Sequence, residues 1–336
     1  MKKLYVITAM LLLSIAGQAQ QVNFTKLKIK SGALGISCVN EDVSYICGEL
    51  GYIGKTTDGG KTWTELNSSQ DIRFQCIKFL DEQTGFVAGS LFSQRGYTPY
   101  EGGGLIWKTT NGGQTWEDIS PPDSISTVTG IFPIDKDTLY MYLIDSPGFL
   151  LKSTNGGNNW DTIFETMGMV MTFYMFDNVG YMLVAFSEEG VYKTTDYGQT
   201  WLRVYETTYK SGLYYQYLTT SDMVFFHPDT VYVFAPDSLI YTTDGFVTSE
   251  KLLYPYPFYS WVKVKMFSNG DYCMITNRSV EGASFFGMVK GYYFYDDDVR
   301  NLTAVDGCSD SVFYIVDSYG SMYTNLILSR IRTAQV

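Results

Sequence analysis

The chain has 336 residues, a formal net charge of −11 and an aromatic content of 16%, with 28 tyrosines. An acidic surface repels the phosphates of nucleic acids, so nucleic acid is not an expected partner. The length allows one or two ordinary domains with a sizeable core.

Residues 1–20 have the pattern of a secretory signal peptide. Lys2 and Lys3 give a positive start, residues 6–15 form a short apolar run, and small residues at 17–19 precede an expected cleavage site. The apolar run is shorter than a membrane-spanning helix, and no later stretch reaches that length. The sequence predicts no transmembrane segment and export of residues 21–336 to the periplasm or the cell exterior.

Seven hairpins follow a strand-like segment at residues 22–30. Each has an apolar run, a tight polar turn and a second strand of alternating large residues. Their starts are about 45 residues apart, the size of one four-stranded propeller blade. The second strands begin at Val43, Gly85, Leu139, Gly180, Val231, Asp271 and Val312.

A turn motif of the form "KTTDGGKTW" follows each of the first five hairpins. An Asp or Asn precedes a tryptophan by five residues in four clear copies, and the worn fifth copy keeps Asp244 but has Ser249 in place of the tryptophan. We expect the turn to join the third and fourth strands of a blade. The four pairs are Asp58–Trp63, Asn111–Trp116, Asn155–Trp160 and Asp196–Trp201.

The chemistry of this turn predicts a structural role. The Asp or Asn oxygen can accept hydrogen bonds from nearby backbone N–H groups, and glycine at 60, 113, 157 and 198 allows an unusual backbone shape. The tryptophan is expected to fold under the turn against its own blade. Because Asn replaces Asp in two copies, the position does not require the negative charge that a metal site or a general acid needs.

The last hairpin is followed by a strand at residues 321–328 and only eight further residues. The segment at 22–30 can supply the missing fourth strand, which closes the ring and removes open sheet edges. The sequence therefore predicts an all-β chain. It forms a single seven-bladed β-propeller of four-stranded antiparallel blades over residues 21–336, closed by pairing the N-terminal strand with the last blade.

Five scattered cysteines contain no metal-type CxxC pair. Cys38 and Cys47 are candidates for a disulfide across the first hairpin. The favoured interpretation is that all five are small apolar fillers in buried strands, namely Cys38, Cys47, Cys76, Cys273 and Cys308.

The phrases "TTDGGKTW", "TTNGGQTW", "STNGGNNW" and "TTDYGQTW" resemble the Asp-box, or BNR repeat, with the pattern S/T-x-D-x-G-x-T-W. Families with this repeat include sialidases, xyloglucan-cleaving hydrolases, sortilin-type receptors and the photosystem II stability and assembly factor. The resemblance covers four clear blades and one worn blade, and it implies a β-propeller. It implies no single activity, since these families perform unrelated functions.

Long aromatic loops are expected on the face opposite the Asp-box turns, where a rigid scaffold commonly carries a binding site. We predict a non-catalytic binding or assembly module, acting as a monomer, that recognises a glycan or a protein there. The candidate residues are Arg95, Tyr97, Tyr100, Glu101, Tyr214, Tyr215, Tyr256, Tyr259, Trp261, Arg278 and Glu281.

The alternative is a carbohydrate-active hydrolase, sialidase-like or of another glycosidase type, with two carboxylates on that face. Sialidase-like catalysis, as the resemblance implies it, needs three clustered arginines, and the F/Y-R-I-P signature is missing. A xyloglucanase-like site would need two propellers. The photosystem factor is thought to hold its client through an arginine-rich surface. This chain is acidic and has only seven arginines, so no counterpart of that surface is expected. Candidate carboxylates are Glu101, Glu188, Glu189, Asp222 and Glu281.

His227 is the only histidine, and it lies in a hairpin turn on the Asp-box side. Serine–histidine catalysis and a histidine metal cluster are therefore not expected. The acidic run at 296–298 is interpreted as a decayed turn rather than a calcium site. We predict no metal and no cofactor.

Overall fold

The structure is a computed structural model that describes residues 25–29, 31–69, 71–91, 103–121, 127–143, 147–206, 222–235, 238–253, 262–266, 272–278, 284–289, 292–294, 302–309, 312–317 and 321–324. In these ranges the chain consists of strands and one 3₁₀ turn at Glu49–Gly51. None of the described residues belongs to a helix long and apolar enough to cross a membrane.

The strands form seven four-stranded antiparallel sheets, which we number as blades. Blade 1 contains β2 (Ala33–Cys38), β3 (Ser44–Gly48), β4 (Ile53–Thr56) and β5 (Thr64–Asn67). Blade 2 contains β6 (Ile72–Phe79), β7 (Gly85–Leu91), β8 (Gly104–Thr109) and β9 (Glu117–Asp118). Blade 3 contains β10 (Val128–Pro133), β11 (Leu139–Leu143), β12 (Gly148–Ser153) and β13 (Asp161–Thr166).

The remaining blades follow the same order. Blade 4 contains β14 (Met169–Phe176), β15 (Val179–Ala185), β16 (Gly190–Thr194) and β17 (Leu202–Glu206). Blade 5 contains β18 (Asp222–His227), β19 (Thr230–Phe234), β20 (Ser238–Thr242) and β21 (Glu250–Leu253). Blade 6 contains β22 (Val262–Met266), β23 (Tyr272–Arg278), β24 (Ser284–Val289) and β25 (Tyr292–Phe294). Blade 7 combines β26 (Leu302–Ser309), β27 (Val312–Asp317) and β28 (Ser321–Thr324) with the N-terminal strand β1 (Thr25–Lys28).

The first strands of the blades form a closed ring. Each of β2, β6, β10, β14, β18, β22 and β26 contacts the first strand of the next blade, and β26 contacts β2. The strand β1 pairs antiparallel with β28, from Thr25 opposite Thr324 to Lys28 opposite Ser321. The all-β propeller and the closing strand pair are confirmed, and the second strand of each sheet lies where the hairpin pattern predicts it.

The second strands supply much of the core. Tyr45, Tyr140, Tyr181 and Tyr314 are among the largest fully buried side chains. The Tyr45 hydroxyl donates a hydrogen bond of 2.9 Å to the carbonyl of Glu82 in blade 2. The Tyr181 hydroxyl likewise donates one of 2.7 Å to the carbonyl of Pro228 in blade 5. Tyr45 and Tyr181 therefore combine a buried apolar ring with a hydroxyl that has a partner in the following blade.

The interpretation of all the cysteines as fillers is wrong for two of them. Cys38 forms a disulfide with Cys308, with 5.7 Å between their Cα atoms. It joins the first strands of blades 1 and 7 beside the closure of the ring. The alternative with Cys47 is also wrong, because Cys47 lies opposite Gly35 in the hairpin while Cys38 lies opposite Ser44.

Two of the other cysteines keep free thiols. Cys47 is fully buried and Cys76 is half-buried, as expected for fillers. The side chain of Cys273 lies outside the described residues.

Candidate functional site

The Asp-box turns lie between the third and fourth strands of blades 1 to 5, on what we call the box face. In blade 1, Asp58 Oδ1 accepts a hydrogen bond of 2.9 Å from the backbone N–H of Thr62, and Oδ2 accepts one of 2.6 Å from the Thr62 hydroxyl. The hydroxyl of Thr56 donates to Oδ1 at 2.8 Å. Led by the bond from the Thr62 hydroxyl, these contacts lower the pKa of Asp58 to about 2.

The Asn copy in blade 2 keeps the turn with one bond reversed. Asn111 Oδ1 accepts the backbone N–H of Thr115 at 2.9 Å, as Asp58 does with Thr62. Its amide nitrogen, however, donates to the Thr115 hydroxyl at 2.8 Å. The hydroxyl thus accepts a bond where its counterpart in the Asp copy donates one. The turn therefore forms with or without a negative charge, and a structural role for the motif rests on that.

Two consecutive left-handed residues make the shape of each turn. In blade 1 these are Gly59 and Gly60, with φ of 70° and 83°. A Cβ atom on Gly60 would lie 2.6 Å from the ring of Tyr314 in blade 7, so glycine also allows close packing of two blades. Blades 4 and 5 depart from the glycine pair, since Tyr197 (φ 61°) and Phe246 (φ 67°) adopt the same conformation.

Trp116 and Trp201 contact Phe79 and Phe173 of their own blades, as expected, but Trp63 and Trp160 also contact the preceding blade. Trp63 is half-buried, and its ring meets that of Tyr314 in the preceding blade edge-on, with 6.2 Å between centroids. Trp160 donates its indole N–H to the carbonyl of Ile119 in blade 2 at 3.2 Å. The reason is geometric, because the tryptophan lies in the turn, one residue before the fourth strand begins, and so at the edge nearest the neighbouring sheet.

In the clear copies, the lysine at the start of the motif contacts the following blade. Lys108 Nζ donates to the carbonyl of Lys136 at 2.9 Å, and Lys193 Nζ donates to the carbonyl of Gly245 at 3.0 Å. Lys152 Nζ donates to the carbonyl of Tyr197 at 3.3 Å. The polar groups of the box face are thus used in contacts within and between blades.

The side chains of the binding residues predicted from the sequence are not among those that the structure describes. Arg278 is the last residue of β23, and only its backbone is described. The others lie outside the described residues: Arg95, Tyr97, Tyr100, Glu101, Tyr214, Tyr215, Tyr256, Tyr259, Trp261 and Glu281. The acidic run at 296–298 also lies outside them. Strand order nevertheless fixes which ends of the blades these segments join, and those ends are opposite the box face.

That opposite end, which we call the loop face, presents large apolar side chains on strained backbone. Leu50 is 51% exposed with φ of 56°, and Phe186 is 48% exposed with φ of 70°. Both follow the second strand of their blade, in blades 1 and 4. A non-glycine residue in this conformation costs about 1–3 kcal/mol, and such strain concentrates at functional sites. Sequence reasoning missed both residues, because no local pattern marks an exposed left-handed leucine or phenylalanine.

The loop around Leu50 is held firmly. The Leu50 carbonyl accepts a hydrogen bond of 2.8 Å from the backbone N–H of Ser69. The Asn67 side-chain amide donates one of 2.9 Å to the carbonyl of Gly51. Glu49 forms an ion pair of 3.0 Å with Arg73. The exposed leucine is therefore presented by an ordered turn.

Two of the carboxylates considered for catalysis are occupied by structural contacts. Asp222 is buried and accepts the backbone N–H groups of Met223 (2.9 Å) and Val264 (3.0 Å), which links blades 5 and 6. Glu188 Oε2 accepts the Thr166 hydroxyl at 2.6 Å and the Met167 N–H at 3.1 Å. Both carboxylates therefore have a structural role in joining neighbouring segments. Within the described ranges, no three His, Cys, Asp or Glu side chains are grouped as metal ligands.

No family model matches the chain, and no curated protein matches it. Solved structures do match. One titled "YCF48 bound to D1 peptide" is 18% identical with a TM-score of 0.65, covering 92% of this chain and 99% of that chain. YCF48 from Cyanidioschyzon merolae is 15% identical with a TM-score of 0.63, covering 91% and 98%.

A GH74 xyloglucanase from Xanthomonas campestris is 13% identical with a TM-score of 0.63, covering 90% of this chain but 53% of that enzyme. This chain thus spans about half the length of that glycosidase. Identities this low show the fold and leave activity open. On the strand topology and these matches, the chain is an all-β propeller related in fold to the YCF48 and GH74 propellers.

Proposed function

We propose that the chain is an exported, non-catalytic binding or assembly module that recognises a protein or glycan partner through the loop face. The observation that carries the proposal is the presentation of Leu50 and Phe186, both about half exposed and both left-handed, in the loops between the second and third strands of two blades. Strain of this kind persists only where the surrounding structure enforces it, and a binding role gives it a reason.

Two further observations support this proposal. The tyrosine-rich segments of the sequence connect strand ends on the same face, where the sequence analysis predicts the binding residues. The relative titled "YCF48 bound to D1 peptide" is a propeller with a bound peptide, and this chain covers 99% of its length. A peptide-binding propeller of the same extent is therefore a direct structural precedent.

The disulfide supports export. Structural disulfides persist in oxidising compartments such as the periplasm and the cell exterior. The bond between Cys38 and Cys308 agrees with the signal-like pattern of residues 1–20.

The test is binding of the chain to a glycan array and to an array of synthetic peptides. Leu50→Asp and Phe186→Asp should each abolish the binding signals of the wild-type chain. Tyr197→Asp is the matched control, because Tyr197 is 49% exposed and also left-handed but lies on the box face. Its binding should equal that of the wild type. Signals that survive both loop-face substitutions, or turnover of a fluorogenic glycoside that depends on one carboxylate, would overturn the proposal.

A further inference from the structure

Two exposed apolar side chains, Met167 and Phe186, lie on adjoining segments at the loop face of blade 4, and we call them the patch. Met167 is 62% exposed and Phe186 is 48% exposed. Gly168 brings the two segments together, because a Cβ atom there would overlap the carbonyl oxygens of Ala185 and Ser187. The two side chains therefore project from adjoining pieces of backbone.

Glu188 fixes the patch. Besides its bonds to Thr166 and Met167, it holds the loop through its carbonyl, which accepts the Tyr192 hydroxyl at 2.9 Å. Its own backbone is left-handed, with φ of 57°. The hydrogen bond from the Thr166 hydroxyl, followed by that from the Met167 N–H, lowers the pKa of Glu188, so the carboxylate is ionised at neutral pH.

Among the described residues, the rim of the patch is acidic. The segments at residues 165–168, 186–190 and 202–206 end at the same edge of the blades, as the pairing of Gly148 with Thr166 and of Gly190 with Glu206 shows. They contain one cation, Arg203, which pairs with Glu206 at 3.3 Å. The same segments contain four carboxylates, those of Glu165, Glu188, Glu189 and Glu206, so negative charge exceeds positive charge.

We propose that this acid-rimmed patch docks an extended segment of a partner protein in which an apolar side chain is flanked by lysine or arginine. This inference rests on the proposed function and specifies its partner. An apolar anchor gains from covering Met167 and Phe186, and the methionine adapts its shape to the anchor. The carboxylates attract the flanking cations and orient the segment. A neutral sugar has no positive charge for the rim to attract, and an acidic sugar is repelled.

The test measures the affinity of synthetic peptides for the full chain by calorimetry. The probe peptide alternates leucine and tyrosine with lysine, and a matched peptide has glutamate in place of every lysine. We expect the lysine peptide to bind about tenfold or more tightly than the glutamate peptide. Raising the salt concentration from about 50 to about 500 mM should weaken binding of the lysine peptide.

Variants then locate the binding. Met167→Ser combined with Phe186→Ser should weaken the lysine peptide about tenfold. Glu165→Gln combined with Glu206→Gln should weaken it less and flatten its salt dependence. Tyr197→Ser, the matched control on the box face, should bind like the wild type. Melting temperatures of all variants confirm that they are folded.

Three results would overturn the inference: no binding of the lysine peptide, equal binding of both peptides, or an equal loss with Tyr197→Ser. Failure of the proposed function looks different. If a glycan or an acidic peptide binds and Phe186→Asp abolishes that binding, the loop face is functional and only the partner chemistry is wrong. If neither Leu50→Asp nor Phe186→Asp affects the binding of any array ligand, the proposed function itself fails.

Discussion

Asp306 Oδ2 accepts a hydrogen bond of 3.0 Å from the backbone N–H of Cys38, although 268 positions separate the two residues. The same aspartate forms an ion pair of 2.6 Å with Lys265 in blade 6. One carboxylate of blade 7 thus connects the blades on both sides of it. Beside it, the Thr303 hydroxyl donates to the carbonyl of Ala33 at 2.6 Å, and Cys308 is bonded to Cys38. The closure of the ring is therefore secured by more than the pairing of β1 with β28.

Removal of the disulfide should destabilise the chain. Cys38→Ser combined with Cys308→Ser is expected to lower the free energy of unfolding by about 2–5 kcal/mol, because the bond closes a very long loop. Denaturant titration measures the effect, and reduction of the wild type with dithiothreitol should reproduce it. Cys76→Ser is the control at a free thiol. Equal stability of the double variant and the wild type would show that the disulfide adds nothing to the closure of the ring.

Stability should fall in acid through Asp306. Burial opposes its charge, but the positive charges of Lys265 and Lys78 and the bonds from Lys265 and Cys38 hold its pKa below the ordinary value. A depressed pKa contributes stability that is fully present above the unfolded value of about 3.9 and is lost as pH falls through the folded value.

Asp306→Asn isolates this contribution. At neutral pH it should cost about 2–3 kcal/mol, because Lys265 loses its partner while remaining partly exposed. The difference from the wild type should shrink as the pH falls below about 4, where the wild-type carboxylate is protonated too. Unfolding midpoints measured from pH 7 to acid provide the check, and a constant difference across that range contradicts the assignment.

The fold was predictable from the sequence to the level of blades and turns, because both recur at regular spacing. "TTDYGQTW" even places Tyr197 at a position that other copies fill with glycine, which points to its left-handed backbone. The contacts of Asp306, the disulfide and the exposed Phe186 were not predictable. The contacts of Asp306 and the disulfide depend on which strands meet across the ring, and such distant pairs leave no periodic trace along the chain. No local pattern marks the exposed left-handed Phe186.

The aspartate of the Asp-box should tolerate replacement by asparagine but not by alanine. Asp58→Asn is expected to leave the melting temperature nearly unchanged at neutral pH, because Asn111 keeps the same turn by donating to Thr115. Asp58→Ala removes the acceptor of the Thr62 N–H and should lower the melting temperature clearly. Thermal melts of the pair decide the point. A large drop for Asp58→Asn would mean that the charge itself is needed.

The tryptophans should matter for stability alone. Trp116→Ala is expected to cost about 2–3 kcal/mol, because its half-buried ring packs edge-on against Phe79 with 6.2 Å between centroids. Binding of any ligand found on the arrays should persist at temperatures where the variant is folded. A folded Trp116→Ala protein that has lost binding would assign the box face a role in recognition.

The backbone strain at Phe186 can be tested directly, because Tyr197 has a similar conformation and exposure and serves as a matched control. The two residues have φ of 70° and 61° and are 48% and 49% exposed, but they lie on opposite faces. Glycine relieves a left-handed cost of about 1–2 kcal/mol per residue and loses part of that gain as chain entropy. Phe186→Gly and Tyr197→Gly should therefore both raise the melting temperature slightly.

Only Phe186→Gly should also weaken binding, since it removes an aromatic contact from the loop face. Higher stability with lower affinity is the behaviour of a residue kept for function at a cost to folding. Melting curves and peptide titrations on the same protein samples measure both quantities. If Phe186→Gly instead lowers the melting temperature, the phenylalanine packs against its surroundings more than its exposure indicates, and its conformation serves folding rather than recognition.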